Sequence, residues 1–127
     1  MMEFHIRTSR RIEALNITDQ VVNAARGQTG KILHVYTPHT TCALTINEDA
    51  DPDVMRDIIE ALGRMAPSGH PYRHREGNSD AHIKAILVGA SVSIPMSGDA
   101  PALGTWQGIF LMEFDGPRER KVEVTVA

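Results

Sequence analysis

The sequence predicts an α+β domain built on mainly antiparallel sheets. Short segments rich in β-branched and aromatic residues recur along the chain, helical patterns are few and short, and the two do not alternate as in a doubly wound parallel sheet. The tally is about seven strands and two or three helices, with no internal repeat. The 127 residues, 42% hydrophobic and 23% charged, have the size and composition of one globular domain.

Met2 to Ile17 reads as two half-buried strands joined near Ser9-Arg10, because apolar and polar residues roughly alternate in Phe4-His5-Ile6-Arg7-Thr8 and Ile12-Glu13-Ala14-Leu15-Asn16-Ile17. Thr18 is placed to cap a short first helix through Val21, Val22 and Ala25, with Gly27 suited to its left-handed stop. Ile32 to Tyr36 is a nearly continuous apolar strand that Pro38 ends, and Thr41 to Ile46 is the next. Asp51 as N-cap, Pro52 at the first helical position and Val54, Ile58, Leu62 and Met65 at helical spacing define the second helix. Ala66 to Ser79 has neither period and reads as a long loop, either functional or disordered. Asp80 is placed to cap a third helix over Ala81 to Leu87, ended by Gly89, although a strand also fits. Strands follow at Ser91 to Met96, Trp106 to Asp115 and Lys121 to Val126, with a turn at Ser97-Gly98-Asp99.

A formal net charge of −3 and the lack of any basic run argue against nucleic acid as a partner. No apolar run approaches the ~20 residues of a spanning helix, and Met1-Met2-Glu3-Phe4-His5 lacks the basic and apolar regions of a signal peptide, so no membrane partner and a cytoplasmic location are expected. The single cysteine, Cys42, excludes a cysteine-rich zinc site within one chain and agrees with a reducing compartment. On a strand and without an identifiable base, its thiol reads as core packing.

The candidate chemistry centres on His39 in a strand connection, His74 in the long loop and His82 near a helix start. Three imidazoles satisfy a catalytic zinc ion that keeps one position open. Without a local metal motif, spacing alone favours the plainer account: backbone bonding by His39, solvation of His74 and a helix-start position for His82. Glu48 fits a general base or an orienting partner for a histidine, whereas Asp51 is accounted for by capping. Glu113 interrupts an apolar strand, so its carboxylate must be paired, solvated or protonated; Arg118 and Arg120 are placed to brace it or to bind an anion, and bracing is the stronger reading. Trp106, between two glycines, offers a face for a flat ring, although core packing is the commoner use of tryptophan.

These residues carry a resemblance. His39-Thr40-Thr41-Cys42-Ala43-Leu44-Thr45-Ile46-Asn47-Glu48 with Ala50-Asp51-Pro52, His74 before Ala81-His82-Ile83-Lys84, Leu103-Gly104-Thr105-Trp106-Gln107-Gly108-Ile109, Glu113 and the closing arginines resemble the YjbQ family, also described as secondary thiamine-phosphate synthase-like proteins. The likeness runs from about His34 to Val126 in order and spacing. It implies a β-sandwich of two mainly antiparallel sheets with two or three helices, assembled as a homotrimer. It implies metal ligands at His39, His74 and His82, catalytic roles for Glu48 and Arg120, and substrate contacts from Thr40, Thr41, Trp106, Gln107 and Arg118. The implied cofactor is a divalent metal ion, zinc first, with magnesium an option for a pyrophosphate substrate. The implied reaction joins hydroxymethylpyrimidine pyrophosphate to a thiazole phosphate, both small anions, and releases pyrophosphate. A metal-dependent hydrolase of a small phosphate or ester, or a non-catalytic trimer with a structural metal, would use the same residues. Cys42 departs from the small residues, such as serine, common at its position, which weakens any catalytic role for the thiol.

Overall fold

The computed structural model describes residues 1–127. The strands are β1 (Met2–Arg7), β2 (Glu13–Asn16), β3 (Ile32–Tyr36), β4 (Cys42–Glu48), β5 (Ser91–Ser97), β6 (Ala100–Pro101), β7 (Gln107–Glu113) and β8 (Glu119–Val126); the helices are α1 (Thr18–Ala25), α2 (Pro52–Met65) and α3 (Ser79–Val88). A five-stranded sheet has the order β1-β8-β3-β5-β6 and a three-stranded sheet the order β2-β7-β4. Every pairing is antiparallel.

The unbroken apolar run Ile109-Phe110-Leu111-Met112 requires cover on both faces of β7. Strand alternation supplies two cores. Ile109 and Leu111, with Cys42 and Leu44 of β4, meet Leu33, Val35, Ile94, Val122, Val124 and Val126 of the larger sheet, while Val21 and Ala25 of α1 join them. Phe110, Met112 and Phe114 point the other way, with Ala43, against Met55 and Leu62 of α2 and Ala81 and Ala85 of α3. The layers are therefore five-stranded sheet, three-stranded sheet and the helices α2 and α3, with α1 joining the core between the sheets.

Local chemistry explains most boundaries and several departures. Asp51 accepts from the Asp53 N–H at 3.0 Å and Pro52 opens α2, as the sequence predicts. Met65, expected on the apolar face, is instead 66% exposed at the fraying end. Thr18 does not cap α1: its hydroxyl donates to Asn16 Oδ1 at 2.7 Å and accepts the Ile109 N–H at 2.9 Å, tying the helix to β7 instead. Asp80 does not cap α3, which is a helix. It is fully buried between Arg11, at 3.1 Å, and Lys84, at 3.6 Å. Strand β6 is too short for periodicity to announce, and Gly98, with φ of +63°, makes the turn into it. No helix is long and apolar enough to cross a membrane.

One ion pair joins the two sheets. Glu113 ends β7 and Arg120 lies in β8, and both are essentially inaccessible to solvent. Arg120 Nε donates to Glu113 Oε1 at 2.9 Å and Oε2 at 3.1 Å, and Nη2 also donates to Oε2. The rest of the carboxylate is satisfied by the Thr8 hydroxyl at 2.7 Å and by the N–H groups of Phe114 and Asp115, each at 3.1 Å. Arg120 Nη2 continues to the Thr41 hydroxyl at 2.8 Å and carbonyl at 3.1 Å. A Cβ at Gly116 would collide with the Arg10 carbonyl and Thr8 Oγ1, so only glycine lets the chain pass this cluster.

Breaking a buried pair from one side leaves an uncompensated charge, so Arg120→Ala is expected to destabilise the fold by about 3–5 kcal/mol. The paired replacement Glu113→Gln with Arg120→Met should recover much of that loss in urea unfolding. Equal stability of Arg120→Ala and wild type would contradict this account.

Candidate metal and substrate site

The 66–78 segment and the start of α3 bring together a histidine–carboxylate cluster. Gly77, with φ of +81°, turns the loop back into the helix. His74, Glu76 and His82 each present one ligand atom, and these atoms all lie within 4.8 Å of one another. The two imidazoles meet edge to face with centroids 5.6 Å apart. His74 Nε2 lies 3.6 Å from Glu76 Oε2. Asn78 Nδ2 donates to that same Oε2 at 2.8 Å and to Asp115 Oδ2 at 2.7 Å. Glu76 is the member that sequence reasoning missed. Two residues after a histidine in a polar loop it carried no periodic signal, and only its proximity to His74 marked it.

His39 stands apart from this cluster. Strand β3 ends at Tyr36, opposite Glu123, so Lys121 extends past its last partner on that side. Thr37 and His39 replace the missing strand: the Thr37 hydroxyl donates to the Lys121 carbonyl at 3.0 Å, and His39 Nε2 accepts the Lys121 N–H at 2.9 Å. A neutral imidazole that accepts at Nε2 carries its proton on Nδ1, so in this arrangement the ring's lone pair faces the Lys121 amide. The structure thus sets His39 on the Lys121 amide, and Glu76 rather than His39 beside the other two histidines. Burial pushes His39 below its usual pKa, the nearby positive charge of Arg120 adds to that, and Glu113 opposes it.

His82 nevertheless connects the two regions. With His39, Thr40, Cys42, Ile86 and Ala90 it lines a pocket of about 460 Å³, and with Tyr72, Arg73, His74 and Ser79 a second of about 520 Å³. Both are in the size range of small-molecule sites. Cys42 is 1% exposed, and burial pushes its thiol up, which keeps it an inert wall.

The other expected site residues disperse. Arg120, expected to be catalytic, is consumed by Glu113 and Thr41, and Thr41, expected to touch substrate, is buried beneath it. Arg118 donates to the Asp115 carbonyl at 2.8 Å and carboxylate at 3.0 Å. Gln107 folds back to accept the Gly104 N–H at 2.8 Å. Trp106 is 63% exposed, so core packing does not explain it. Glu48 pairs with Gln107 at the far end of β4, about 23 Å along the strand from Thr41 at ~3.3 Å per residue. It faces a separate pocket of about 450 Å³ with Arg10, Asp49, Met55 and Phe110. Within one chain, Glu48 and Trp106 therefore do not reach the histidines.

Fold and site together define an α+β sandwich domain with a partly exposed two-histidine, one-glutamate cluster beside pockets of small-molecule size. The chain belongs to the YjbQ-like UPF0047 protein family, whose model matches residues 2–127. It is 46% identical over 128 residues to a UPF0047 protein of Methanocaldococcus jannaschii, covering 99% of this chain and 93% of that one. With the UPF0047 protein YugU of Bacillus subtilis it shares 44% identity over 118 residues, or 91% and 89% of the two chains. An uncharacterized conserved protein of the same family from Clostridium acetobutylicum has a solved structure that superposes with a TM-score of 0.95 at 46% identity, covering 100% of both chains. A conserved hypothetical protein from Thermus thermophilus superposes at 0.94 with 39% identity, again over 100% of both chains.

The His39 environment sets a pH dependence. Its folded pKa lies below the ordinary 6.5, so the unfolded chain takes up the proton first. The stability that neutral His39 contributes is therefore complete above 6.5 and is lost as pH falls through the folded value. In an NMR titration the His39 ring resonance is expected to have a midpoint below 6.5, with the Lys121 amide shifting at the same pH as Nε2 gains a proton. A midpoint above that value would refute the assignment.

Proposed function

We propose that this protein is a metal-binding enzyme acting on small phosphorylated substrates, with a divalent ion held by His74, Glu76 and His82. The observation that carries the reading is the convergence of three ligand atoms within 4.8 Å on a loop and a helix start. Two imidazoles and one carboxylate fit a catalytic zinc ion, which typically takes three protein ligands and keeps a position open. Imidazole donors favour zinc over magnesium, so magnesium would enter with a pyrophosphate substrate rather than through these side chains. When bound, such an ion supplies positive charge for the oxygens of a phosphate or leaving pyrophosphate.

The reaction that the family resemblance offers is a secondary thiamine-phosphate synthase activity, joining hydroxymethylpyrimidine pyrophosphate to thiazole phosphate. This chain's residues suit parts of it. Thr40 offers an exposed hydroxyl to a phosphate oxygen, Arg73 a guanidinium, and His39, neutral at pH 7, an uncharged wall beside Ile86 and Ala90 for a heterocycle. A hydrolase reading is weaker within one chain, because Glu48, its candidate base, lies at the opposite end of β4.

The reading includes a homotrimer. Ile83, Ile86 and Leu87 expose an apolar face on α3 next to the pockets, with Ile86 82% exposed, and association is the usual way such a face is covered. A neighbouring copy is also the only route by which Glu48 or Trp106 would reach the histidines.

Purified protein loaded with zinc is expected to form thiamine phosphate from the two substrates. In His82→Ala both the zinc affinity and the turnover should fall, the affinity by more than the roughly 10–100-fold typical of losing an outer partner. Turnover that survives chelation and this substitution unchanged would sink the reading.

A further inference from the structure

Asn78 immediately precedes α3, where asparagine ordinarily accepts a helix N–H with its side-chain oxygen. It makes no such bond. Its amide instead bridges two carboxylates, through Nδ2 to Glu76 at 2.8 Å and Asp115 at 2.7 Å. The residue is only 7% exposed, and Oδ1 is the one buried side-chain polar atom without a partner. Reversing the amide would set Oδ1 against both carboxylates, so their charge fixes its orientation. Buried unpaired atoms are few in native proteins, and each needs a reason. Here a residue suited to capping forgoes the cap and leaves an acceptor unpaired, and what it gains is a hold on Glu76.

That hold matters because Glu76 is otherwise loose. Its side chain is 71% exposed, and its other close polar neighbour is His74 at 3.6 Å. Asp115, in turn, is anchored by the Arg118 guanidinium at 3.0 Å and joined through its N–H to the buried Glu113. A continuous path therefore runs from the rigid end of β7 to an exposed loop carboxylate.

We propose that Asn78 is a positioning residue for a divalent metal ion: Nδ2 fixes the Glu76 carboxylate beside His74 and His82, and Asp115 fixes Asn78. The inference rests on the reading that those three residues hold the ion. Partners that orient a ligand set its affinity without touching the metal.

Serine caps helices as well as asparagine does, so Asn78→Ser keeps the helix start while removing the arm to Glu76. Wild type, Asn78→Ser and Asn78→Ala would be titrated with Zn²⁺ against a chromophoric chelator, and thermal unfolding of the metal-free forms followed in parallel. The expected result is a zinc Kd raised about 10–100-fold in both variants, with metal-free Asn78→Ser melting at or above the wild-type temperature. A purely structural role would lower the melting temperature of Asn78→Ala and leave Asn78→Ser with wild-type zinc affinity, which overturns the proposal alone. Wild-type protein that binds no zinc at micromolar concentration would overturn the metal reading and this proposal together.

Discussion

The Glu113 carboxylate is the constraint on which much of the remaining structure depends. A buried ion is tolerable only when its charge and its lone pairs are matched, and five donor groups from three segments meet that demand. Thr8 comes from the end of β1, Arg120 from β8, and the Phe114 and Asp115 amides from the chain leaving β7. Thr41, at the start of β4, is then held by Arg120. The ends of four strands in two sheets are thereby pinned at one place. The His39 connection precedes β4 at that place, and Asp115 projects from it toward the histidine loop.

This dependence explains what the sequence disclosed and what it hid. Helix α2 was readable because Asp51-Pro52 and the apolar spacing act locally, and the strands were readable because alternation is a local consequence of the pleat. A carboxylate inside an apolar run demands a partner, and of the two arginines the sequence offers as braces Arg120 takes Glu113 while Arg118 takes Asp115. Thr18 and Asp80 have the residue types of caps but do not cap, because tertiary partners, the Ile109 amide for one and Arg11 with Lys84 for the other, outcompete the helix ends. Periodicity says which face of a strand a side chain occupies but not which end of the sheet it will share. Glu48 and Trp106 could therefore be grouped with the histidines in sequence and still emerge at the far end of the β4–β7 ladder.

The histidines divide by the same logic. His74 and His82 have ring nitrogens free of backbone obligations and converge with Glu76. His39 is committed to the Lys121 amide because Pro38 ends the strand and leaves a donor to be satisfied. Nothing in the spacing of the three distinguishes an imidazole that completes a ladder from one that is available to a ligand. That distinction arises only when β3 stops short of β8.

The outer strand β1 has a consequence of its own. It borders the five-stranded sheet with Glu3, His5 and Arg7 exposed along one face, and it lies opposite Glu123, Lys121 and Glu119 of β8. An unpaired strand edge is a template for recruiting a stranger's backbone, and charged side chains along it raise the cost of such recruitment. Tight polar packing at one end of the molecule thus coexists with an electrostatic guard along its border, so the sheet can stop at five strands without inviting uncontrolled growth into a fibril.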